Sequence, residues 1–216
     1  MSATNQTVLI VDDDPSVRRS LLRLMRHAGL KALAFASAEE FLEKQSTALL
    51  HPACVVLDLR MPGLSGLELQ QKLSMDSTPC PVIFISGNGD IPATVKAMRQ
   101  GAVTFLMKPF DNDDLLHAVA EALEKHRALL DSESQVRAIR ERMSELTERE
   151  RKVMSWVITG ALNKQIAAEL GIVENTVKVH RSRVMEKMRV VSVAELVRVC
   201  AQAGFAAAKG GRTILI

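Results

Sequence analysis

Short runs of apolar residues punctuate the first half of the chain. Val8–Val11, Cys54–Leu57, Val82–Ile85 and Val103–Met107 are continuous, apolar and mostly rich in β-branched residues, with Ala32–Phe35 a fainter fifth. Runs of that length and type predict strands buried on both faces. Between them, apolar positions recur at intervals of three and four, predicting helices over Val17–His27, Ala38–Glu43, Leu67–Leu73 and Ile91–Arg99, with another from Asp111 onward. Strand and helix alternating five times predicts an α/β fold, a doubly wound five-stranded parallel sheet. From Asp111, Leu116, Val119, Leu123, His126 and Leu130 repeat at helical spacing, and after a break so do Val136, Ile139, Met143 and Leu146. This pattern suggests a last helix on the sheet followed by a connector, and leaves open whether residues 111–145 form one continuous helix or a bent linker; a coiled-coil contact also stays open, although the run is short for one.

Beyond residue 146 the period stays helical. Thr147 with Glu150 forms a capping box for a helix reaching about Thr159 and stopping at Gly160. Helices over Lys164–Leu170, Asn175–Met188 and Val193–Ala203 follow, the first of these ending at Gly171. Two short helices joined through a glycine predict a helix-turn-helix within a small all-α four-helix domain.

Charge sharpens the division. The 216 residues are 47% hydrophobic and 25% charged, with a net charge of +3, which excludes wholesale disorder. Residues 1–140 hold 15 basic against 17 acidic side chains, whereas residues 141–216 hold 13 against 8. All 7 prolines lie at or before Pro109. A basic, proline-free second half suggests a polyanionic partner. Three scattered cysteines give neither a disulfide framework nor zinc spacing, no apolar run is long enough to span a membrane, and residues 1–6 show no export signal. A reducing cytoplasm and no membrane partner are the resulting expectations.

In a parallel sheet, ligands gather beyond the carboxyl ends of the strands. There the sequence places Asp12, Asp13 and Asp14, then Asp58, then Ser86 with Gly87, then Lys108 with Pro109. Crowded carboxylates resist ionisation unless a cation joins them, and a hard ion such as Mg²⁺ fits that need. Metal, lysine, hydroxyl and carboxylate together suit phosphoryl transfer onto Asp58. In the second half, Val177, His180 or Arg181, Val184 and Met188 should face inward, leaving Lys178, Ser182 and Met185 roughly opposite, beside Val179. Such a helix can enter the major groove, with Arg181, Arg183, Lys187 and Lys164 placed to bind phosphates.

Two sets of motifs resemble known families. Val11-Asp-Asp-Asp14, Asp58-Leu-Arg-Met-Pro-Gly63 with Gly66, Ser86-Gly87 and Gly101–Phe110 with its Lys108-Pro109 resemble the flavodoxin-like receiver domain of bacterial two-component response regulators, over residues 6–125. Leu146–Glu150, Gly160, Asn163–Ala167, Leu170-Gly171 and Thr176–His180 resemble the LuxR-type DNA-binding domain, and the order of the two matches the NarL/FixJ class. The resemblance implies a receiver over 1–125, a helical linker over 126–143 and a DNA-binding domain over 144–216. It implies Mg²⁺ held by Asp12, Asp13, Asp58 and the backbone carbonyl of Arg60. Phosphate would reach Asp58 from a sensor histidine kinase and pair with Lys108, while Ser86 and Phe105 form a switch pair. Arg60 and Asn88 stand where receivers tune acyl-phosphate lifetime. In the second domain, Lys178, Val179 and Ser182 would face bases, with Thr176 and Lys164 holding the DNA backbone. The partners implied are promoter DNA, a second copy of the chain after phosphorylation, and RNA polymerase, all within the bacterial cytoplasm. Serine replaces the commoner threonine at 86, and Phe105 replaces a frequent tyrosine. A phosphatase using Asp58 is the competing enzymatic reading; Arg60 stands where such enzymes carry their general acid, which argues for a regulator and against an enzyme. A third alternative keeps DNA binding but places a ligand or protein at the receiver.

Overall fold

The computed structural model describes residues 6–44, 51–75, 79–87 and 91–208. The chain divides into two compact units, Met1–Asp131 and Ser132–Ile216. In the first, five parallel strands run β1 Thr7–Val11, β2 Lys31–Phe35, β3 Ala53–Asp58, β4 Val82–Ser86 and β5 Thr104–Met107, in the order β2-β1-β3-β4-β5. The three inner strands are buried at every position, while the edge strands β2 and β5 are not. Alternate side chains leave opposite faces of a strand, so each inner strand supplies two cores. Leu9, Val55, Leu57 and Phe84 meet Phe41 of α2 (Ala38–Lys44), Leu69 of α3 (Gly66–Leu73) and Ala97 of α4 (Ile91–Arg99). Ile10, Val56 and Ile83 meet Met25 of α1 (Pro15–His27) and Leu115, Val119 and Leu123 of α5 (Asn112–Ser144). At the start of β3 the amide of Ala53 donates to Nδ1 of the buried His126, 2.8 Å away, pinning α5 to the sheet.

Helix α5 is a single continuous 33-residue helix, Asn112–Ser144. The gap in its apolar repeat marks a change in what the helix packs against. Residues 131–135 are polar, yet no glycine or proline lies between 112 and 144 to stop the backbone. Its last turns carry Ile139 and Met143, which are buried in the core of the second unit.

That unit continues as α6 Glu148–Val157, α7 Asn163–Leu170, α8 Glu174–Met188 and α9 Val193–Gln202. Thr147 and Glu150 form the expected capping box. Val153, Met154, Ile166, Val177, Val184 and Leu196 make the centre of the core, with Trp156 packed partly buried against it. Helix α7 ends on Gly171 at φ 66°, a left-handed cap that glycine adopts at little cost and that turns the chain into α8. Helix α8 ends the same way on Arg189, at φ 55°. Among the described residues no helix is long and apolar enough to cross a membrane.

These two caps make opposite substitutions informative. Gly171→Ala is expected to lower the unit's stability by about 1–2 kcal/mol, whereas Arg189→Gly raises it by up to about 1 kcal/mol, both read from urea unfolding midpoints.

Candidate functional site

The carboxyl edge of the sheet gathers groups from four strands. Asp12 follows β1 and is wholly buried; Asp58 ends β3 and is 7% exposed. Lys108 follows β5, joined to Pro109 by a cis peptide bond. Its Nζ donates to Oδ2 of Asp12 at 2.7 Å and to Oδ1 of Asp58 at 2.9 Å. The other oxygens are held by backbone: Asp12 Oδ1 accepts from the Asp14 amide at 2.8 Å, and Asp58 Oδ2 from the Arg60 amide at 3.0 Å. The Lys108 amide donates to the Ser86 carbonyl at 2.8 Å, so the lysine and the nearly buried Ser86 are fixed together at one end of the sheet.

Two carboxylates thus share one ammonium. Burial pushes the Asp58 carboxyl above its ordinary value; its bond to Lys108 pulls the other way without winning, and the Asp12 charge adds to the rise. Burial works against the Lys108 ammonium, yet its bonds to both carboxylates hold its pKa above the ordinary lysine value. The pocket is short of positive charge. That shortage and the two convergent carboxylates fit a hard divalent cation, which takes one or two carboxylates and fills its remaining positions with water or phosphate oxygens. No set of three acidic, histidine or cysteine side chains is gathered for a metal among the described residues; Asp13 is exposed and does not join Asp12 and Asp58. Asp14 does other work, capping α1 by accepting from the Ser16 amide and hydroxyl, each at 2.7 Å.

The loop after Asp58 is shaped by close approach. A Cβ on Gly66 would lie 2.3 Å from the Asp58 carbonyl oxygen and 3.1 Å from the Phe84 ring, and one on Gly63, at φ 75°, would lie 2.7 Å from Glu39 Oε1. Glu39, which nothing in the sequence singled out, accepts from the Leu64 amide at 2.9 Å across a 25-residue separation. Arg18 is a second such residue, donating to the Asp12 carbonyl at 2.6 Å. Neither contact has a local sequence signal, because each joins separate elements. Phe105 is partly buried and stacks on Phe84, with ring centroids 6.4 Å apart. Gly87 follows Ser86 at the exposed rim, and Asn88 lies outside the described residues.

In the second unit, α8 presents Lys178, Val179, Ser182 and Arg183 to solvent, Val179 being 45% exposed. Lys164 is also exposed and Thr176 half-buried. Met185 is half-buried and packs against the core, whereas Lys178 and Ser182 are exposed; at about 100° per residue it lies about 80° round from Val177 and about 20° from Lys178, a flank position from which a long apolar side chain folds back onto the core. Two of the expected phosphate ligands have protein partners. Arg181 donates to Asn163 Oδ1 at 3.2 Å. Lys187 reaches inward to Glu150 Oε2 at 2.7 Å and the Glu145 carbonyl at 3.1 Å, because Glu150 is buried and needs a counter-charge. The Lys187 bond holds the Glu150 carboxyl down to about 2, against burial and aided by the Thr147 amide.

Comparison with known proteins bears on both units. Residues 8–120 match the response regulator receiver domain family, and residues 144–200 match the LuxR family of bacterial regulatory proteins. The chain belongs to the response regulators, as a receiver joined to a LuxR-type DNA-binding domain of the NarL/FixJ type. Nodulation protein W of Bradyrhizobium diazoefficiens is 47% identical over 95% of this chain and 90% of that protein. Transcriptional regulatory protein FixJ of the same species is 39% identical over 93% of this chain and 97% of its own. The structure of response regulator StyR superposes with a TM-score of 0.81 at 44% identity, covering 91% of this chain and 98% of that one. This response regulator is a phosphorylation-dependent transcriptional regulator of a two-component system.

Two pH dependences follow from the geometry. Asp58 has a raised folded pKa, so its contribution to stability falls as pH rises above the ordinary aspartate range. Removing its cation with Lys108→Met is expected to widen the deficit relative to the native protein between pH 4 and 7, measured by urea unfolding; an equal loss at both values would contradict the pairing. Glu150 has a depressed folded pKa, so its stabilisation is present above about pH 4.5 and is lost as pH falls toward 2. Lys187→Met should abolish most of that acid-side slope in the DNA-binding unit, followed through Trp156 fluorescence.

Proposed function

We propose that Asp58 is the phosphoacceptor and that the carboxyl edge of the sheet is built around its phosphorylation. The observation that carries this reading is the Lys108 ammonium held between Asp12 and Asp58. A carboxylate oxygen of Asp58 attacks phosphorus, the bond from phosphorus to the donor's leaving atom breaks, and the leaving group departs with that electron pair. A sensor histidine kinase is the natural donor, its leaving group an imidazole. Lys108, already in reach of Asp58, then pairs with the added phosphoryl oxygens. Ser86 supplies a hydroxyl and the Gly87 amide a further donor, and movement of Ser86 with repacking of Phe105 against Phe84 carries the change outward. Asp12, Asp13, Asp58 and the Arg60 carbonyl would hold Mg²⁺, with Asp13 turning in from its exposed position. When bound, the ion neutralises the transferring oxygens and orients them.

Residues 1–125 are assigned as the receiver, 126–143 as the helical linker and 144–216 as the DNA-binding domain. Phosphorylation favours one receiver conformation over another. The outcome is a homodimer that binds promoter DNA through two α8 helices, with RNA polymerase as a further partner, in the bacterial cytoplasm. Lys178, Val179 and Ser182 read bases, and Lys164, Thr176 and Arg183 hold the backbone. Arg181 joins them on release from Asn163, and Lys187, committed to Glu150, contributes by positioning the helix. The chain holds its phosphoryl group as a signal and is not an enzyme.

Incubation with acetyl phosphate and Mg²⁺ is expected to add one phosphoryl group, seen by mass measurement, and to shift the protein from monomer to dimer on sizing. Its affinity for promoter DNA should rise at least about fivefold. Chelation of the metal or Asp58→Asn should abolish all three changes. Phosphoryl addition that survives Asp58→Asn would overturn the assignment.

A further inference from the structure

The LuxR-family match begins at residue 144, but the core of the DNA-binding unit includes Ile139 and Met143 from the end of α5. The same stretch reaches the base-reading helix. Arg142 is half-buried; its Nε donates to the Ala138 carbonyl of its own helix at 3.2 Å, and its Nη1 donates to the Met188 carbonyl at 2.7 Å. Met188 is the last residue of α8 and is wholly buried. A helix leaves its final four carbonyls without intrahelical partners and carries partial negative charge at that end, so a guanidinium bonded there is favoured twice. The contact is reinforced on both sides: Lys187 donates to the Glu145 carbonyl at 3.1 Å, and Arg151 of α6 donates to the Met143 carbonyl at 3.1 Å.

We infer that Arg142 is a positioning residue for DNA recognition: it fastens the end of α8 to the end of α5 and so sets the angle at which α8 meets the major groove. Lys178 lies ten residues from Met188, a lever of about 15 Å at 1.5 Å per residue. A tilt of about 5° pivoting on the far end moves it by about 1.3 Å. Hydrogen bonds to base edges hold over a window of roughly 0.5 Å, so they fail at that displacement, whereas contacts made by charge alone tolerate it. Loss of Arg142 therefore lowers discrimination between sequences more than general attraction to DNA. Residues 139–143 belong functionally to the DNA-binding unit, although they precede the matched family segment.

This inference rests on α8 being the base-reading helix, and the test separates the two ideas. Full-length protein with acetyl phosphate and Mg²⁺ is titrated against two probes: a duplex selected by the native protein from a random library, and poly(dI-dC). Arg142→Met, which keeps the aliphatic stem and removes the donors, is expected to weaken binding to the selected duplex about ten- to thirtyfold, and to poly(dI-dC) less than about twofold. The salt dependence of binding to poly(dI-dC) should stay unchanged, because no phosphate contact is lost. Arg142→Lys, keeping charge and one donor, should recover at least half of the lost discrimination in logarithmic terms. Equal weakening on both probes, no weakening on either, or no recovery in Arg142→Lys would overturn the inference. Should Arg142→Met fail to fold by circular dichroism, the Arg142→Lys result decides alone: discrimination within about threefold of native supports the inference, and a larger loss overturns it. Lys178→Ala serves as the control for α8: if it leaves selection intact, the reading of α8 fails; if it weakens selection while Arg142→Met does not, only the positioning role fails.

Discussion

The shared ammonium of Lys108 is the interaction on which the receiver's chemistry depends. Burial at the low-dielectric end of the sheet works against ionisation of Asp58, and the one lysine bonded to both Asp12 and Asp58 opposes it. The compensation is incomplete, as the raised Asp58 carboxyl shows. An incompletely neutralised pocket is suited to signalling, because an added cation and an added phosphoryl group both change its charge balance. The surrounding loop is built to keep the arrangement close: Gly66 lets the chain pass against the Asp58 carbonyl, and Glu39 holds the loop by the Leu64 amide.

A comparable economy operates in the DNA-binding unit. Glu150 closes the capping box of α6 and, from the same buried carboxylate, binds Lys187 of α8. Arg142 then takes the last carbonyl of α8. Cationic side chains on or near α8 are therefore of two kinds. Lys178 and Arg183 project into solvent, while Lys187 and Arg142 turn inward and fix the helix that carries the others. Counting basic residues along α8 cannot separate these kinds, since both have the same composition and helical spacing.

Much of the architecture was legible because it is written in local periodicity. The inner strands are continuous apolar runs because both their faces are covered, and the capping box of α6 and the glycine turn before α8 are local chemistry with a fixed spacing. The acidic pocket was legible too, since a parallel sheet must bring strand ends together. Where the reading fell short, the deciding contact was non-local. The break in the α5 repeat leaves a continuous helix and a bent linker both open from sequence; it marks where one apolar face stops packing on the sheet and another begins packing in the second core. Met185 was expected outward and Lys187 toward phosphate; a flank position and a buried glutamate drew both inward.

Sequence by itself determined the parallel sheet, the helical second unit, the residues at the strand ends and the exposed basic face of α8, because each depends on residue order along one element. Tertiary structure alone decided that Lys108 would bridge Asp12 and Asp58, that Asp14 would cap a helix while Asp13 stayed exposed, and that Arg142 would hold the end of α8. The reason is directional. Hydrogen bonds and ion pairs depend on where side chains from distant elements meet, and that follows only when the cores have closed and fixed the backbone beneath them.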